Sequence, residues 1–512
     1  MDPNPSLDLE QARADIEEAM AIVERFYVRM QAYGESITLA DAQPLMERYG
    51  YLFEDETIAA ADQYIQQFTA DGNPDEVHRV RMMKSKALFY RGMISTIAMT
   101  LSLNQAEAVM EIPLSDGTVI PYRVIQSTIE NEEDRARRQE MDDQWYEADE
   151  KLNMYYKPMV ETHHFEAKSL GYASFYDMAR ELNDVDYPRL ETQMQEFLAR
   201  TKDLYRTVFG QFLADKLGIS IEDATRADLE RLRRGFWLDE SRLTPDQMLA
   251  LAGRVFADMG IPWGPDVPGL TLDLEDRPKK VERAFCAAPR VPTEIILVCK
   301  PRGGFEDFQT FFHESGHAVH MSNIAADLPI EYRSLGAPSI TEVVAFLMEG
   351  LMEEPAVLQD YLGLNEDDAH AFAEYGHFMK LWFLRSYAAR FAHEVRLHQD
   401  TSGDLEQYRQ QYVDLLSEAH QYPMKSARFL QGDYGFYSAD YLMAWLFEIQ
   451  LRNLIKNQFG ENWWQDRDAG QFLIDNYFRL GDRYTLKELA ERLGFDVYDI
   501  NPIIQQFAAF FI

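Results

Sequence analysis

Apolar residues recur at helical spacing through almost the whole chain, and that repeat restricts the fold more than any other feature of it. Residues 8 to 33 read as one amphipathic helix, 75 to 110 as one or two, 125 to 170 as a long charged helical segment, and 188 to 218 as another. TPDQMLALAGRVFADMG opens with Thr244 as N-cap and Pro245 at the first helical position, a start signal with a physical basis. A helical run of about 35 residues begins at Asn365. Further helices fit 403 to 420, 437 to 458, 466 to 480, 485 to 493 and 499 to 511. Strand signals are few. EIILVC, residues 294 to 299, is short, apolar and β-branched, and GTVIPYRVI, residues 117 to 125, is a weaker run broken by Pro121. The expected fold is mainly α, with a small β-sheet just before a histidine-bearing helix. Pro and Gly cluster in IPWGPDVPG, residues 261 to 269, and divide the chain into an N-terminal helical half, 1 to 260, and a second helical half, 261 to 512.

The chain has 512 residues, of which 46% are apolar and 27% charged, the profile of a soluble protein with a substantial core. Its net charge of −36 disfavours nucleic acid and anionic membranes as partners, because both require clustered cations. With two cysteines, Cys286 and Cys299, a disulfide framework is excluded as the basis of the fold, and both read as buried thiols. The acidic start MDPNPSLDLEQARADIEE has no apolar core of a secretory signal, and no run approaches a membrane span. A cytoplasmic location is expected.

Within the second half, FFHESGHAVH carries His313, Glu314 and His317 in the pattern His-Glu-x-x-His. On a helix, positions i and i+4 share one face, so two imidazoles can bind one Zn2+ while the glutamate between them serves as general base toward the attacking water. Random placement would give this pattern in only about one chain in fifty of such composition. Gly316 costs roughly 1 kcal/mol in a helix, which implies that something approaches that face closely. A catalytic zinc takes a third protein ligand, and APSITEVVAFLMEGLMEEP offers Glu342 on a helix that returns against the first. Ser339 to Glu342 also reads as a capping box, in which the glutamate folds back on the helix start. Glu349, seven residues on, shares the Glu342 face and could orient a ligand histidine. His320 lies off the ligand face. His163 and His164, in ETHHFEAKSL, read as surface residues of a charged helix.

HESGHAVH followed by TEVVAFLMEGL resembles the thimet oligopeptidase and oligoendopeptidase family of zinc peptidases, over roughly residues 283 to 355 and again in QGDYGFYSADYLMAWLFEIQL. The angiotensin-converting-type dipeptidyl carboxypeptidases are similar in plan. The resemblance implies a helical body of gluzincin type with a deep central cleft, one catalytic Zn2+ on His313, His317 and Glu342, and Glu314 as base. It also implies a tyrosine hydroxyl that donates to the oxyanion. Tyr441 stands at the matching position, with Tyr434 and Tyr437 nearby. Such a donor aimed at developing charge contributes several kcal/mol. The chain departs from the family where a histidine is expected upstream of that tyrosine: Gln431 or Phe429 stands there, and His420 is too far along the chain.

The resulting expectation is zinc-dependent hydrolysis of peptide bonds in short, unstructured peptides, held as an added strand along EIILVC. A dipeptidyl carboxypeptidase-type exopeptidase, a zinc hydrolase of non-peptide amides, and a zinc-binding peptide-binding protein with weak or no turnover are the alternatives. The oligomeric state is left open by the sequence.

Overall fold

The computed structural model describes residues 7–183, 185–432 and 435–512, and is mainly helical, as the periodicity requires. The first helix, Leu9–Tyr33, shows why the elements form where they do. Asp8 accepts a hydrogen bond from the Gln11 amide at its start, and Gly34 ends it in the left-handed region at φ 64°. Leu9, Ala12, Ile16, Ala19, Val28 and Ala32 lie on its buried face. The helix Pro245–Met259 begins as the sequence indicates, with Thr244 and Gln247 forming a reciprocal capping box. Residues 75 to 110 form a single helix, Pro74–Val109. Residues 125 to 170 form three helices rather than one long segment: Ile125–Asn131, Arg135–Glu150 and Asn153–Ser169. The Asp134 side chain caps the second of these through the Arg137 amide, which interrupts the run.

Contacts divide the chain into two compact units, each built from three separate stretches. The first comprises Met1–Arg91, Asp239–Ala373 and Met443–Val497, and the second Gly92–Leu238, Glu374–Leu442 and Tyr498–Ile512.

The first unit holds the three-stranded sheet. Two short strands of the second unit come earlier in the chain, β1 (Glu111–Pro113) and β2 (Val119–Pro121), an antiparallel pair with Ile112 opposite Ile120. The sheet of the first unit consists of β3 (Leu270–Asp273), β4 (Phe285–Arg290) and β5 (Glu294–Val298) in the order β3-β5-β4. Strand β5 pairs parallel with β3 and antiparallel with β4, with Phe285 opposite Val298 and Ala287 opposite Ile296. The run EIILV is therefore the central strand, paired on both sides, and offers no free edge for a peptide. Its continuous apolar character is that of a strand buried on both faces. The edge strand β4 reads FCAAPR, whose alanines and proline carry little strand propensity. The first helix packs Val28 and Ala32 against Phe285, Ala287 and Val298 of this sheet.

Candidate metal centre

After β5 the chain enters the histidine helix, Phe305–Ser322. Phe305, Phe308, Phe311 and Phe312 are buried and fix which side of it faces the core. The return helix, Pro338–Glu349, is buried nearly all round, from Ser339 through Met348. The two meet at Gly316. A Cβ there would lie 2.6 Å from Ala345 Cα and 2.7 Å from the Val344 carbonyl oxygen. Only glycine permits this approach, and it brings the return helix under the two histidines.

At this crossing His313, His317 and Glu342 each offer one ligand atom, and the three atoms lie within 4.8 Å of one another. His313 Nε2 is 3.3 Å from Glu342 Oε2, and His317 Nε2 is 3.7 Å from Glu342 Oε1. The other ring nitrogens are held from behind. His313 Nδ1 donates to Glu349 Oε2 at 2.8 Å, and His317 Nδ1 lies 2.9 Å from Thr341 Oγ1. With the proton on Nδ1 in each ring, both Nε2 lone pairs point toward the carboxylate. Phe346 packs its ring edge on His313 at 5.3 Å and stacks on Trp445 at 4.5 Å, so the imidazole is held against a rigid aromatic wall. Glu342 does not cap its helix: the N-cap is Ala337, without a side-chain cap bond, and Glu342 lies beyond the first turn. That geometry removes the capping-box reading.

The donor set suits a divalent transition ion. Two neutral imidazole nitrogens and one carboxylate oxygen make a three-ligand set for zinc, and each imidazole has an outer partner that fixes its orientation. Charge at the site points the same way. Burial opposes a proton on His313, but hydrogen bonds and fields from Glu342 and Glu349 outweigh it and hold the ring well above its ordinary value. Burial pushes His317 down to about 4 against the field of Glu342. Glu342 and Glu349 thus draw one positive charge to the site, while burial keeps His317 neutral. A dication at the three donor atoms would supply it and leave both rings neutral.

Glu314 is buried beside this set, and burial pushes its carboxyl up to about 7 while the His313 charge pulls it down. A carboxylate near neutrality suits proton transfer at physiological pH. His320 points away from the ligand face into a buried contact with Tyr477 and Phe478, at ring separations of 5.7 and 5.8 Å. Burial pushes it down to about 3.

Tyr437 and Tyr441 belong to the second unit. Tyr441 stacks on Tyr387 at 5.1 Å and tilts against Tyr437 at 4.9 Å. Tyr434 lies outside the described residues. Phe429 is fully buried in a core cluster with Leu397, Leu416 and Leu430, and Gln431 is exposed. A histidine does reach this segment from elsewhere: His393 Nε2 lies 2.6 Å from the Phe429 carbonyl oxygen. His164 is buried rather than at the surface, its Nε2 3.1 Å from His398 Nδ1, and His163 stacks on Phe175 at 5.5 Å. Cys299 is buried and Cys286 half-buried, and both are free thiols. Sequence reasoning passed over β4 and Thr341. The first has weak strand propensity, and the second is one of many threonines with no spacing signal of its own.

No described helix is long and apolar enough to cross a membrane. By sequence, no protein-family model matches the chain, and no curated protein matches it. Solved structures do. A Bacillus anthracis (strain Ames) protein provisionally assigned as an oligoendopeptidase F superposes with a TM-score of 0.63 at 15% identity, covering 95% of this chain and 88% of that one. PZ peptidase A, solved with an inhibitor, superposes with a TM-score of 0.66 at 10% identity, covering 99% of this chain and 97% of that one. At these identities the likeness is one of architecture: over nearly its full length, the chain has the fold of these oligopeptidase structures.

Proposed function

We propose that the protein is a zinc-dependent oligopeptidase that hydrolyses peptide bonds in short, unstructured peptides. The observation that carries this reading is the meeting of His313, His317 and Glu342 within 4.8 Å, with both imidazoles fixed from behind by Glu349 and Thr341. The shared fold with oligopeptidases supports it. When bound, zinc would supply a Lewis acid that polarises the scissile carbonyl and acidifies water. His313 and His317 would hold it through Nε2 and Glu342 through its carboxylate. Glu314, one residue from a ligand histidine, takes the proton from the attacking water and returns it to the leaving amine. Glu349 keeps His313 in the tautomer that leaves Nε2 free. Tyr441, and Tyr434 beside it in sequence, are assigned by the sequence resemblance to the oxyanion. A phenol donating there stabilises charge that develops only in the transition state.

The test is mass spectrometry of a peptide mixture incubated with purified protein, with and without a chelator. Chelator-sensitive cleavage is expected. Glu314→Gln should retain zinc and lose cleavage, and unchanged cleavage by that variant refutes the assigned base. A second reading, a zinc-binding peptide-binding protein with little turnover, is favoured by one observation: Phe429 is buried and Gln431 is a neutral amide where the resembled families place a histidine. Stoichiometric zinc and peptide binding without cleavage would select it.

A further inference from the structure

The histidine helix and the return helix are each pinned at two points, with candidate site residues between them. The first point is the crossing at Gly316, where Val344 and Ala345 of the return helix come close. The second is a short segment of the same unit, residues 477 to 482, which contains the turn Phe478–Leu480. The Tyr477 hydroxyl donates to the Ile340 carbonyl oxygen at 2.8 Å, and both residues are buried. Ile340 immediately precedes Thr341, which backs His317, and Glu342. The Asp482 carboxylate accepts from the Gly336 N–H at 2.9 Å, and the Asp482 N–H donates to the Tyr332 carbonyl oxygen at 2.8 Å. A Cβ on Gly336 would lie 2.2 Å from Asp482 Cγ, so only glycine admits the carboxylate there. On the other helix, His320 packs its ring against Tyr477 and Phe478.

The return helix needs such a brace because it has no cap of its own. Its N-cap residue is Ala337, which offers no side-chain acceptor. A helix held at a single crossing can still pivot about it. Ile340 and Ala345 are separated by about 7.5 Å along the axis, and Thr341 and Glu342 lie between them. His317 lies likewise between Gly316 and His320. A pivot at the crossing would carry Glu342 away from both imidazoles, and the segment 477 to 482 removes that freedom. The Tyr477 ring is already packed, edge-on against Phe447 at 5.6 Å and tilted against His320. Its hydroxyl therefore adds direction more than burial: a buried phenol takes a hydrogen-bond partner, and this one takes the carbonyl next to Thr341 and Glu342.

We propose that Tyr477 and Asp482 are positioning residues of the metal centre, fixing the start of the return helix so that Thr341 and Glu342 meet the two histidines in register. The proposal deepens the oligopeptidase reading above and rests on its metal centre. Neither residue touches a ligand atom. Each acts through the backbone of the return helix, Tyr477 at Ile340 and Asp482 at Gly336.

The experiment uses full-length protein loaded with Zn2+ or with Co2+, as wild type, Tyr477→Phe, Asp482→Ala, Asp482→Asn and Tyr361→Phe. Tyr361 is the control, since its hydroxyl donates to Asp258 Oδ2 at 2.7 Å, a bond on another helix of the same unit. Zinc affinity is read by competition with a chromogenic chelator, ligand geometry by the visible absorption of bound Co2+, and kcat and KM on a peptide the wild type cleaves. Tyr477→Phe and Asp482→Ala should weaken zinc binding about fivefold, roughly the worth of one hydrogen bond. Both should shift the Co2+ bands and lower kcat with KM nearly unchanged. Asp482→Asn keeps an acceptor for the Gly336 amide and should match the wild type. Tyr361→Phe should lose stability in urea and nothing else. Wild-type zinc affinity and Co2+ bands in Tyr477→Phe overturn the proposal, however much stability that variant loses. An equal band shift in Tyr361→Phe overturns it too, because general loosening would then suffice. A wild type that binds Co2+ but cleaves no peptide sinks the oligopeptidase reading alone, since affinity and bands still decide the brace. A wild type without stoichiometric metal sinks both.

Discussion

Among the described residues two histidine pairs, one half-buried and one buried, are built on opposite plans. His313 and His317 sit one helical turn apart, with both Nδ1 atoms bonded outward and both Nε2 atoms turned toward one carboxylate. His164 and His398 come from distant helices and are bonded to each other, Nε2 to Nδ1 at 3.1 Å. Aromatic rings surround the second pair: Phe175 lies 4.9 Å and Phe436 5.3 Å from His398. The first pair is arranged to leave lone pairs unspent around a charge. The second consumes its hydrogen-bonding capacity internally and is wrapped in apolar surface. What separates the candidate metal centre from a packed core here is the direction of the nitrogens and the presence of a carboxylate in contact, since both pairs are largely shielded from solvent.

That contrast is broken most directly by metal analysis of paired variants. His317→Ala should abolish stoichiometric zinc, read by elemental mass spectrometry after dialysis against buffered zinc, while His398→Ala should leave it unchanged. Zinc retained by His317→Ala would put the ion elsewhere. The backbone approach under the first pair gives the next effect. Gly316→Ala drives a Cβ to 2.6 Å from Ala345 Cα, where the neighbour is main chain and cannot swing away. A loss of about 1 to 3 kcal/mol in urea unfolding is expected, together with weaker zinc binding. Gly210→Ala is the control from a helix where the nearest atom would be 3.8 Å off, and it should be neutral or slightly stabilising. Glu349→Gln tests the support behind His313 without touching a ligand atom. It should weaken zinc affinity by roughly 10- to 100-fold, measured by competition with a chromogenic chelator. An unchanged affinity would make Glu349 a bystander.

The first pair was legible in the sequence and the second was not, for a physical reason. A helix converts spacing into geometry, so His313 and His317 announce a shared face, and Gly316 announces a close approach, before any tertiary structure is known. Glu342 followed from the need for a returning helix, although the competing capping reading could be removed only by seeing Ala337 at the N-cap. His164 and His398 are 234 residues apart, and nothing local joins them. The charged residues around His163 and His164 suggested exposure, yet one face of that helix is buried. The sheet shows the same limit. EIILV was visible as a strand because it is apolar throughout, and for the same reason it proved central. The edge strand β4 has a composition dictated by its neighbours rather than by its own propensity. The long helices emerged from periodicity, whereas the breaks near 132 to 134 and 151 to 152 depend on single caps and turns.

The pairs also differ in their response to acid, and this gives the smallest effect. Burial holds His398 well below its ordinary value, with His164, His163 and His393 adding repulsion. Burial likewise lowers His164, opposed by Asp400 and assisted by Lys168. Both rings are neutral when folded and take up protons near pH 6.5 when unfolded. The unfolded chain therefore binds more protons below that pH. The stability these groups contribute is present above about pH 6.5 and is lost as pH falls toward their folded values. One proton of difference corresponds to about 1.4 kcal/mol per pH unit, an upper bound for a single ring. His398→Phe keeps an apolar ring in the aromatic cage and removes one such group. Its urea midpoint should fall less than that of the wild type between pH 6.5 and 5.5, with both measured in chelator so that ligand release does not contribute. A parallel fall in the two proteins would mean that the His164–His398 pair shares its protons with solvent after all. The contrast between a closed pair and an open one would then rest on the carboxylate alone.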